Sequence, residues 1–367
     1  MDTIATEPSG VKSTLPSRYY FAPEIYEQEK EKIFYRSWFC VGRADEIPEP
    51  RDYFVRSVAD ESIVVIRGED RALNAFYNVC RHRGNRLCAE GAGKLKGRAI
   101  TCAYHAWSYG LDGRLIATPN MVDAEGFRRE DYPLHRVSVH PWEGFVFLNL
   151  SPDPGPFEPN LGRIAARLPR YNLEKLTAGR RKTYDIQANW KLIVENFTEC
   201  YHCPTVHPEL CRIIPGFRNG VIFQEESDGA RFIEGGNSTT MDASTRRPLI
   251  STITDEDANR FRSTTIYPNL LCVFVPDHVQ TWTLWPMGPK ATRVVFELLY
   301  EAPTLAAPGF DDSDAASFME LVNQQDFGIC ERVQEGLQSR AHRGGVYSPQ
   351  EHLPQKFNEW VLQHLGA

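Results

Sequence analysis

The chain has 367 residues, of which 42% are hydrophobic and 24% are charged, as in an ordinary globular protein. A net charge of −7 argues against electrostatic binding of nucleic acid. The longest apolar runs, such as residues 144–150, are much shorter than the ~18 residues of a membrane span. Nine cysteines without a secretory signal favour thiols and metal ligands over disulfides. We therefore expect a cytoplasmic protein that binds neither nucleic acid nor a membrane.

The first part of the chain predicts one helix followed by short strands. Residues 23–38 carry apolar and aromatic side chains near helical spacing, which predicts an amphipathic helix. From Asp52 onward, brief β-branched or aromatic runs alternate with turn residues, which indicates a small antiparallel domain over about residues 39–155. Residues 151–160 contain four prolines and predict a boundary.

The second half of the chain mixes helices and strands. Charged helical segments are predicted at residues 161–176, and a helix at residues 188–210. Strand-like runs follow at residues 264–276, 280–287 and 292–302, and helices at residues 317–339 and 348–365. We predict an α+β protein divided into an N-terminal helical segment (1–38) and two domains (39–155 and 156–367).

Two mixed pairs of soft ligands lie in the strand-rich region, namely Cys80 with His82 and Cys102 with His105. Zinc is one alternative, because two cysteines and two histidines form a common zinc set. Zinc fingers, however, usually space their pairs as Cys-Cys and His-His. Pairs that each mix one cysteine with one histidine suit a [2Fe–2S] cluster, in which two thiolates hold one iron and two imidazoles hold the other. The pattern therefore favours a Rieske-type cluster.

A second constellation centres on His202 and His207, which are five residues apart and do not superpose on a helix. Pro204 favours a helix end between them, which would bring both imidazoles to one point. Two imidazoles and one carboxylate form the facial triad of non-haem Fe(II) oxygenases. The neighbouring Cys200-x-x-Cys203 admits a redox dithiol or a zinc site, although packing is the favoured interpretation.

Together these motifs resemble the oxygenase (alpha) component of the Rieske-type non-haem iron oxygenases. The first loop reads CRHRG, the second reads CAYHAWSYGLDGRL, and the later segment carries an E-x-Y-H-x₄-H motif. The family's second loop commonly reads C-P-Y-H-G-W, so Ala103 and Ala106 depart from it. The resemblance implies that the cluster ligands are Cys80, His82, Cys102 and His105.

For the mononuclear Fe(II), the resemblance implies His202, His207 and, as the carboxylate, Asp326, with Glu331 as the rival. Glu199 is a candidate catalytic residue, because most ring-hydroxylating members carry aspartate at its position. That aspartate bridges the Rieske domain of one subunit to the iron of the next. Glutamate there is similar to the choline, carnitine and glycine betaine branch, which oxidises small nitrogen compounds.

The fold implied by the resemblance is an all-β Rieske [2Fe–2S] domain beside an antiparallel-sheet, helix-grip (START-like) catalytic domain, with the N-terminal segment packing on the latter. Family members assemble as homotrimers. They take electrons from a separate NAD(P)H-dependent flavin/iron–sulfur reductase or a ferredoxin, and no dinucleotide-binding motif is visible in this sequence.

The activity implied is that of a terminal oxygenase, which uses O₂ to hydroxylate a small molecule at a carbon next to nitrogen, as in N-dealkylation. Two alternatives stay open at this point. One is hydroxylation of an aromatic ring, and the other is a Rieske electron-transfer protein without oxygenase activity.

Six aromatic residues of the second half are candidates for the substrate pocket: Phe217, Phe223, Tyr267, Phe274, Trp282 and Trp285. They would form a cage around a quaternary ammonium group or an apolar wall for a neutral substrate. Packing of these rings in the core is the favoured interpretation.

Overall fold

The computed structural model describes residues 12–121, 124–159, 161, 168–219 and 230–366. The chain divides into two compact units, one over Phe34–Asn160 and one over Met1–Ile33 with Leu161–Ala367. The bounds of the first unit lie five residues outside each predicted end of the 39–155 domain. In the described part of the chain, no helix combines the length and the apolar character needed to cross a bilayer.

The first helix, α1 (Pro23–Glu29), begins at a proline, which suits a helix start because the first N–H groups of a helix have no intrahelical acceptor. It continues as a wider π-helical turn over Lys30–Phe34. The helical segment therefore ends four residues before Trp38, the predicted end.

The first unit is an all-antiparallel β structure. Its strands are β1 (Phe39–Arg43), β2 (Asp52–Val58), β3 (Glu61–Arg67), β4 (Leu73–Tyr77), β5 (Gly91–Lys94), β6 (Ala99–Thr101), β7 (Ser108–Gly110), β8 (Leu115–Ala117), β9 (Arg136–Trp142) and β10 (Phe145–Asn149). Seven form one sheet in the order β1-β10-β9-β4-β3-β2-β5, and β6-β7-β8 form a second. The two metal-ligand loops follow β4 and β6.

The second unit is built on a six-stranded antiparallel sheet. Its strands are β11 (Leu176–Ile186), β12 (Arg231–Phe232), β13 (Arg260–Ile266), β14 (Leu270–Val275), β15 (His278–Gly288) and β16 (Ala291–Glu301). They lie in the order β11-β16-β15-β14-β13-β12. Its further helices are α2 (Trp190–Thr198), α3 (Cys203–Val206), α4 (Pro208–Ile213), α5 (Ala302–Leu305), α6 (Ser313–Leu337) and α7 (His352–Leu365).

The long helix α6 lies against this sheet. The ring of Phe327 on α6 is 5.1 Å from that of Tyr184 on β11, and Trp282 Nε1 on β15 donates to Asn323 Oδ1 at 2.9 Å. Both contacts place the middle of α6, which contains Asp326, over the sheet. The α+β class and the antiparallel catalytic domain with a covering helix are confirmed.

The predicted single helix over residues 188–210 is wrong, because the chain forms three short helices there. Helix α2 ends at Thr198, and α3 and α4 each begin with a proline in the first turn, Pro204 and Pro208. A proline cannot continue a helix from the preceding turn, so the chain turns between them. The predicted helical segment over residues 161–176 lies partly outside the described residues, and residues 169–175 form only short 3₁₀ turns.

Helix α2 is anchored to α1 by a fully buried ion pair. Lys191 Nζ contacts Glu29 Oε1, both side chains have no solvent exposure, and Trp190 Nε1 donates to Glu29 Oε2 at 2.9 Å. A buried charge without a partner would be strongly destabilising. The pair therefore holds the N-terminal helix against α2, whose last turn leads into the histidine segment.

Candidate metal centres

Three side chains from distant parts of the second unit converge on one point. The metal-binding atoms of His202, His207 and Asp326 all lie within 4.8 Å of one another. His207 Nε2 is 2.7 Å from Asp326 Oδ1, and His202 Nε2 is 3.3 Å from the same oxygen. The histidines flank α3, whereas Asp326 comes from the middle of α6. The structure thus brings together the three residues predicted to hold Fe(II).

The other nitrogen of each imidazole is held by an acceptor. His202 Nδ1 lies 2.5 Å from Glu199 Oε1, and His207 Nδ1 lies 2.7 Å from Gln325 Oε1. These acceptors place a proton on each Nδ1, so Nε2 is the atom that each ring presents beside Asp326. Partners of this kind are typical of metal-binding histidines, because they set the tautomer and the ring orientation. The donor set and its orientation fit a mononuclear iron.

The electrostatics of the three residues also fit a cation. Burial by itself would lower the pKa of His202, but hydrogen bonds to Asp326 and Glu199 raise this pKa to about 10. Burial would raise the pKa of Asp326, but its hydrogen bonds to His202 and His207 lower it. The site therefore keeps its carboxylate ionised and favours positive charge between the three residues.

Glu331 does not join this group. Its Oε1 accepts a hydrogen bond from the backbone N–H of Gln187 at 2.9 Å. Five residues separate it from Asp326 on a helix with 3.6 residues per turn, so the two side chains lie on different faces. Of the two candidate carboxylates, the structure brings Asp326 alone to the histidines.

Sequence reasoning did not identify Gln325 or Asn196. Gln325 holds the ring of His207, and Asn196 Nδ2 lies 3.4 Å from His202 Nε2. The only sequence signal for Gln325 was its position directly before the candidate carboxylate. Asn196 lies on α2, six residues before the first histidine, and this spacing by itself gave no signal.

The four residues predicted to hold the cluster also lie together, in the first unit. The Cys80 and Cys102 side chains are buried, and the rings of His82 and His105 are 4.7 Å apart. The two loops share one hydrogen-bonding pattern. Each cysteine N–H donates to the carbonyl five residues on, and each cysteine carbonyl accepts from the N–H four residues on. Both loops therefore present a cysteine from a similar tight turn.

The residue four places after each cysteine has a left-handed backbone. It is Gly84 in the first loop, with φ 70°, and Ala106 in the second, with φ 55°. Glycine adopts this conformation without steric cost, whereas an alanine Cβ is strained there. The departure from the family's glycine at Ala106 thus falls at a position of the second loop where the backbone favours glycine.

The pKa shifts of Cys102 and His82 suit an iron–sulfur cluster. Burial would raise the pKa of the Cys102 thiol, but the backbone N–H groups of Tyr104 and His105 lower it. Burial, together with the nearby His105 and Arg83, lowers the pKa of His82 and favours a neutral imidazole. Thiolates and neutral imidazoles are the forms that bind iron. These four residues fit a Rieske cluster.

Cys88 differs from the two predicted cluster thiols. Burial raises the pKa of its thiol to about 11, which keeps it protonated. Its backbone N–H donates to Asn78 Oδ1, and its carbonyl accepts from Asn78 Nδ2, at 2.9 Å each. This geometry supports the interpretation of Cys88 as a structural thiol.

A cavity in the second unit reaches the His202, His207 and Asp326 site. Two of the six candidate aromatic residues line it, Phe217 and Trp282. Three others are absent from its wall: Tyr267, Phe274 and Trp285. Phe223 lies outside the described residues. The core interpretation therefore holds for Phe274 and Tyr267, which pack against other aromatic side chains of the interior.

Cys200 and Cys203 also line the cavity. Cys203 is buried, and its Sγ lies 3.9 Å from His202 Nε2. The two cysteines thus form part of the wall next to the histidines.

Comparison with known proteins identifies both units. Residues 37–133 match the Rieske [2Fe-2S] domain, and residues 173–367 match the ring hydroxylating alpha subunit (catalytic domain). A Rieske domain joined to this catalytic domain defines a Rieske non-haem iron oxygenase, an enzyme with a [2Fe–2S] cluster and a mononuclear iron. The catalytic-domain match excludes a Rieske electron-transfer protein without oxygenase activity.

The chain belongs to the family of Rieske-type ring-hydroxylating oxygenase alpha subunits. It is 33% identical to the carnitine monooxygenase oxygenase subunit of Acinetobacter pittii, over 90% of this chain and 87% of the relative. It is 31% identical to the glycine betaine monooxygenase oxygenase subunit of Chromohalobacter salexigens, over 91% and 82%. The crystal structure of the quaternary ammonium Rieske monooxygenase CntA with an inhibitor superposes with a TM-score of 0.80, at 30% identity and with 96% of both chains covered. The predicted family, enzyme class and cofactors are confirmed.

Proposed function

We propose that this oxygenase hydroxylates a small organic substrate at a carbon attached to nitrogen, and that the hydroxylated carbon then leaves as an aldehyde. The overall reaction is an N-dealkylation. The relatives named for carnitine and glycine betaine support this substrate class, as does the quaternary ammonium monooxygenase structure.

The character of the cavity is the observation that carries this proposal. Glu199, a carboxylate outside the proposed iron ligands, contributes to its wall. Five aromatic rings also line it: Phe197, Phe217, Phe261, Trp282 and Phe327. A quaternary or protonated amine is attracted both by negative charge and by aromatic faces. The volume of about 100 Å³ favours a ligand smaller than a drug-sized molecule.

Each group of candidate ligands has a defined part in this proposal. His202, His207 and Asp326 would hold the mononuclear iron, and the cluster would be held by Cys80, His82, Cys102 and His105. When bound, the two centres supply dioxygen activation and electron transfer. Glu199 and Gln325 keep the protons of the two imidazoles on Nδ1, so that Nε2 of each ring stays free for the iron. The apolar wall around the site limits the entry of water.

The proposed reaction accounts for both atoms of O₂ and for the bond that breaks in the substrate. One oxygen atom of O₂ enters a C–H bond next to nitrogen, and the other leaves as water after taking up two electrons and two protons. The product is a carbinolamine. Its C–N bond breaks when the hydroxyl proton is lost, and an N-methyl group leaves as formaldehyde. For a quaternary ammonium substrate, the remaining product is the tertiary amine.

In this proposal the enzyme works with a separate reductase and assembles with further copies of this chain. Two electrons per turnover would come from an NAD(P)H-dependent flavin/iron–sulfur reductase or a ferredoxin. A homotrimer is supported by two exposed aromatic residues next to the candidate ligands, Tyr104 beside His105 and Tyr201 beside His202. Their exposed fractions are 55% and 58%, and tyrosine is enriched at protein interfaces.

A substrate panel tests this proposal. The enzyme would be supplied with a partner reductase and NADH, and with N-methyl compounds or with aromatic acids of similar size. We expect formaldehyde in step with O₂ consumption from N-methyl compounds only. Hydroxylated rings from the aromatic acids, without formaldehyde from any amine, would favour aromatic-ring hydroxylation instead.

A further inference from the structure

The cavity wall contains a buried amide with an unpaired acceptor. Gln280 on β15 lines the cavity and has no solvent exposure. Its Nε2 donates to Thr239 Oγ1 at 2.6 Å and lies 2.9 Å from His278 Nε2. Its Oε1 has no hydrogen-bond partner among the described residues. A buried carbonyl oxygen without a donor is unfavourable, so a ligand that offers a donor would be stabilised there.

A chain of hydrogen bonds behind the wall determines which amide atom is unpaired. The guanidinium of Arg247 lies 3.1–3.2 Å from Asp277 Oδ2, and Asp277 Oδ1 lies 2.9 Å from His278 Nδ1. A carboxylate at this distance places a proton on Nδ1. A neutral His278 then has an acceptor at Nε2, which faces the amide Nε2–H of Gln280. The carbonyl oxygen of Gln280 is therefore the atom that lacks a partner.

The described wall of the cavity also lacks a basic side chain that would bind a carboxylate. Among the described residues that line it, there is no lysine or arginine. Arg247, behind the wall, is already paired with Asp277 and Asp314. Glu199, which also lines the cavity, would repel a second negative charge, whereas the charge of Asp326 is offset by the proposed iron. A substrate carboxylate would therefore lose its hydration without gaining a counter-charge from a side chain.

We infer that the site selects N-alkyl compounds that carry a hydroxyl or N–H group and no carboxylate, and that this group donates to Gln280 Oε1. The inference rests on the proposed function and narrows its substrate class. It separates this chain from the relatives named for carnitine and glycine betaine, since both of those compounds carry a carboxylate. Gln280 would then be a specificity-determining residue.

Three probes that share one trimethylammonium group test the inference on the iron-loaded enzyme. Choline carries a hydroxyl, glycine betaine carries a carboxylate, and tetramethylammonium carries neither a hydroxyl nor a carboxylate. Calorimetry would give their affinities, and formaldehyde would be measured separately. We expect choline to bind roughly 10-fold more tightly than either of the others, the scale of one buried hydrogen bond. Equal or tighter binding of glycine betaine would overturn the inference.

A variant pair links this preference to the amide. Gln280→Leu should reduce the ratio of choline to tetramethylammonium affinity towards one. Thr283→Val on the same strand is the control, because alternation places Thr283 on the opposite face from Gln280 and Trp282. An unchanged ratio in Gln280→Leu would overturn the inference. The expected order of affinities without formaldehyde from any probe would instead contradict the proposed N-dealkylation.

Discussion

The carboxylate of Glu199 holds His202 at two points. Oε1 lies 2.5 Å from the ring Nδ1, and Oε2 accepts from the backbone N–H of His202 at 3.2 Å and from that of Tyr201. Glu199 directly follows α2, where its extended backbone ends the helix, and its side chain holds the turn and orients the first candidate ligand. Neither metal needs Glu199 as a ligand in this arrangement.

Glu199→Gln should retain both metals but slow the oxidation of the reduced cluster by substrate and dioxygen. An amide cannot accept hydrogen bonds through both of its atoms, so the ring and the turn lose part of their support. Partners of metal ligands typically contribute about 10–100-fold in activity or metal affinity. Single-turnover absorbance at the cluster band measures the rate. Glu199→Asp should restore part of it, because the charge is kept and only reach is lost. Wild-type rates in Glu199→Gln would show that this carboxylate has no part in electron delivery.

Asp326→Ala should remove the mononuclear iron and all turnover while the visible cluster spectrum stays. The carboxylate supplies the negative charge between His202 and His207, and no other carboxylate of the described residues joins the triad. Iron analysis before and after removal of loosely bound metal measures the loss, with about three irons per chain expected in the intact enzyme and two in the variant. Glu331→Ala is the control and should keep all three. The opposite result would mean that the third ligand was misassigned.

Cys80→Ser should abolish the visible Rieske spectrum, whereas Cys88→Ser should preserve it. The two thiols are close in sequence and both are buried, so size and burial are matched. They differ in role, because the Cys88 thiol is held protonated with a pKa of about 11. Absorbance and paramagnetic resonance of the reduced protein check the outcome. Colour that persists in Cys80→Ser would rule out the proposed cluster ligands.

Ala106→Gly should stabilise the second cluster loop, and Gly84→Ala should destabilise the first. Both positions have a left-handed backbone, and a Cβ added at Gly84 would meet no atom within 4 Å, so the effect there is one of the backbone alone. We expect roughly 1 kcal/mol in each direction, reduced for Ala106→Gly by the greater freedom of glycine in the unfolded chain. The temperature at which visible absorbance is lost measures both changes. A lower temperature for Ala106→Gly would contradict the strain argument.

Glu195→Gln should stabilise the enzyme at alkaline pH and have little effect near pH 5. Burial raises the pKa of Glu195 from 4.5 to about 7, against the opposing hydrogen bond from Tyr20. A carboxyl whose pKa is higher in the folded state contributes stability below pH 4.5 that is lost as pH rises through 7. At about 1.4 kcal/mol per pKa unit, the stability that the wild type loses above pH 7 is at most about 3 kcal/mol. Urea unfolding at pH 5 and pH 8 measures the difference between the two proteins. A constant difference at both pH values would show that Glu195 does not titrate in this range.

Local spacing made the two metal motifs and the family visible in the sequence. Cys80 and His82, or Cys102 and His105, are close enough along the chain that one turn positions both members of a pair. The same holds for His202 and His207 around Pro204. The α+β class was predictable too, because short alternating runs and longer helical patterns differ in their periods.

Tertiary structure alone decided which distant residues join these motifs. Asp326 and Glu331 are both acidic residues of α6, and only the packing of that helix on the sheet brings one of them to the histidines. The aromatic residues of β14 and β15 show the same limit. These strands are buried on both faces, so composition and alternation do not reveal which face lines the cavity. Trp282 and Gln280 lie in its wall, whereas Phe274 lies in the core. That choice depends on strand register and on the helix above the sheet, and long-range packing sets both.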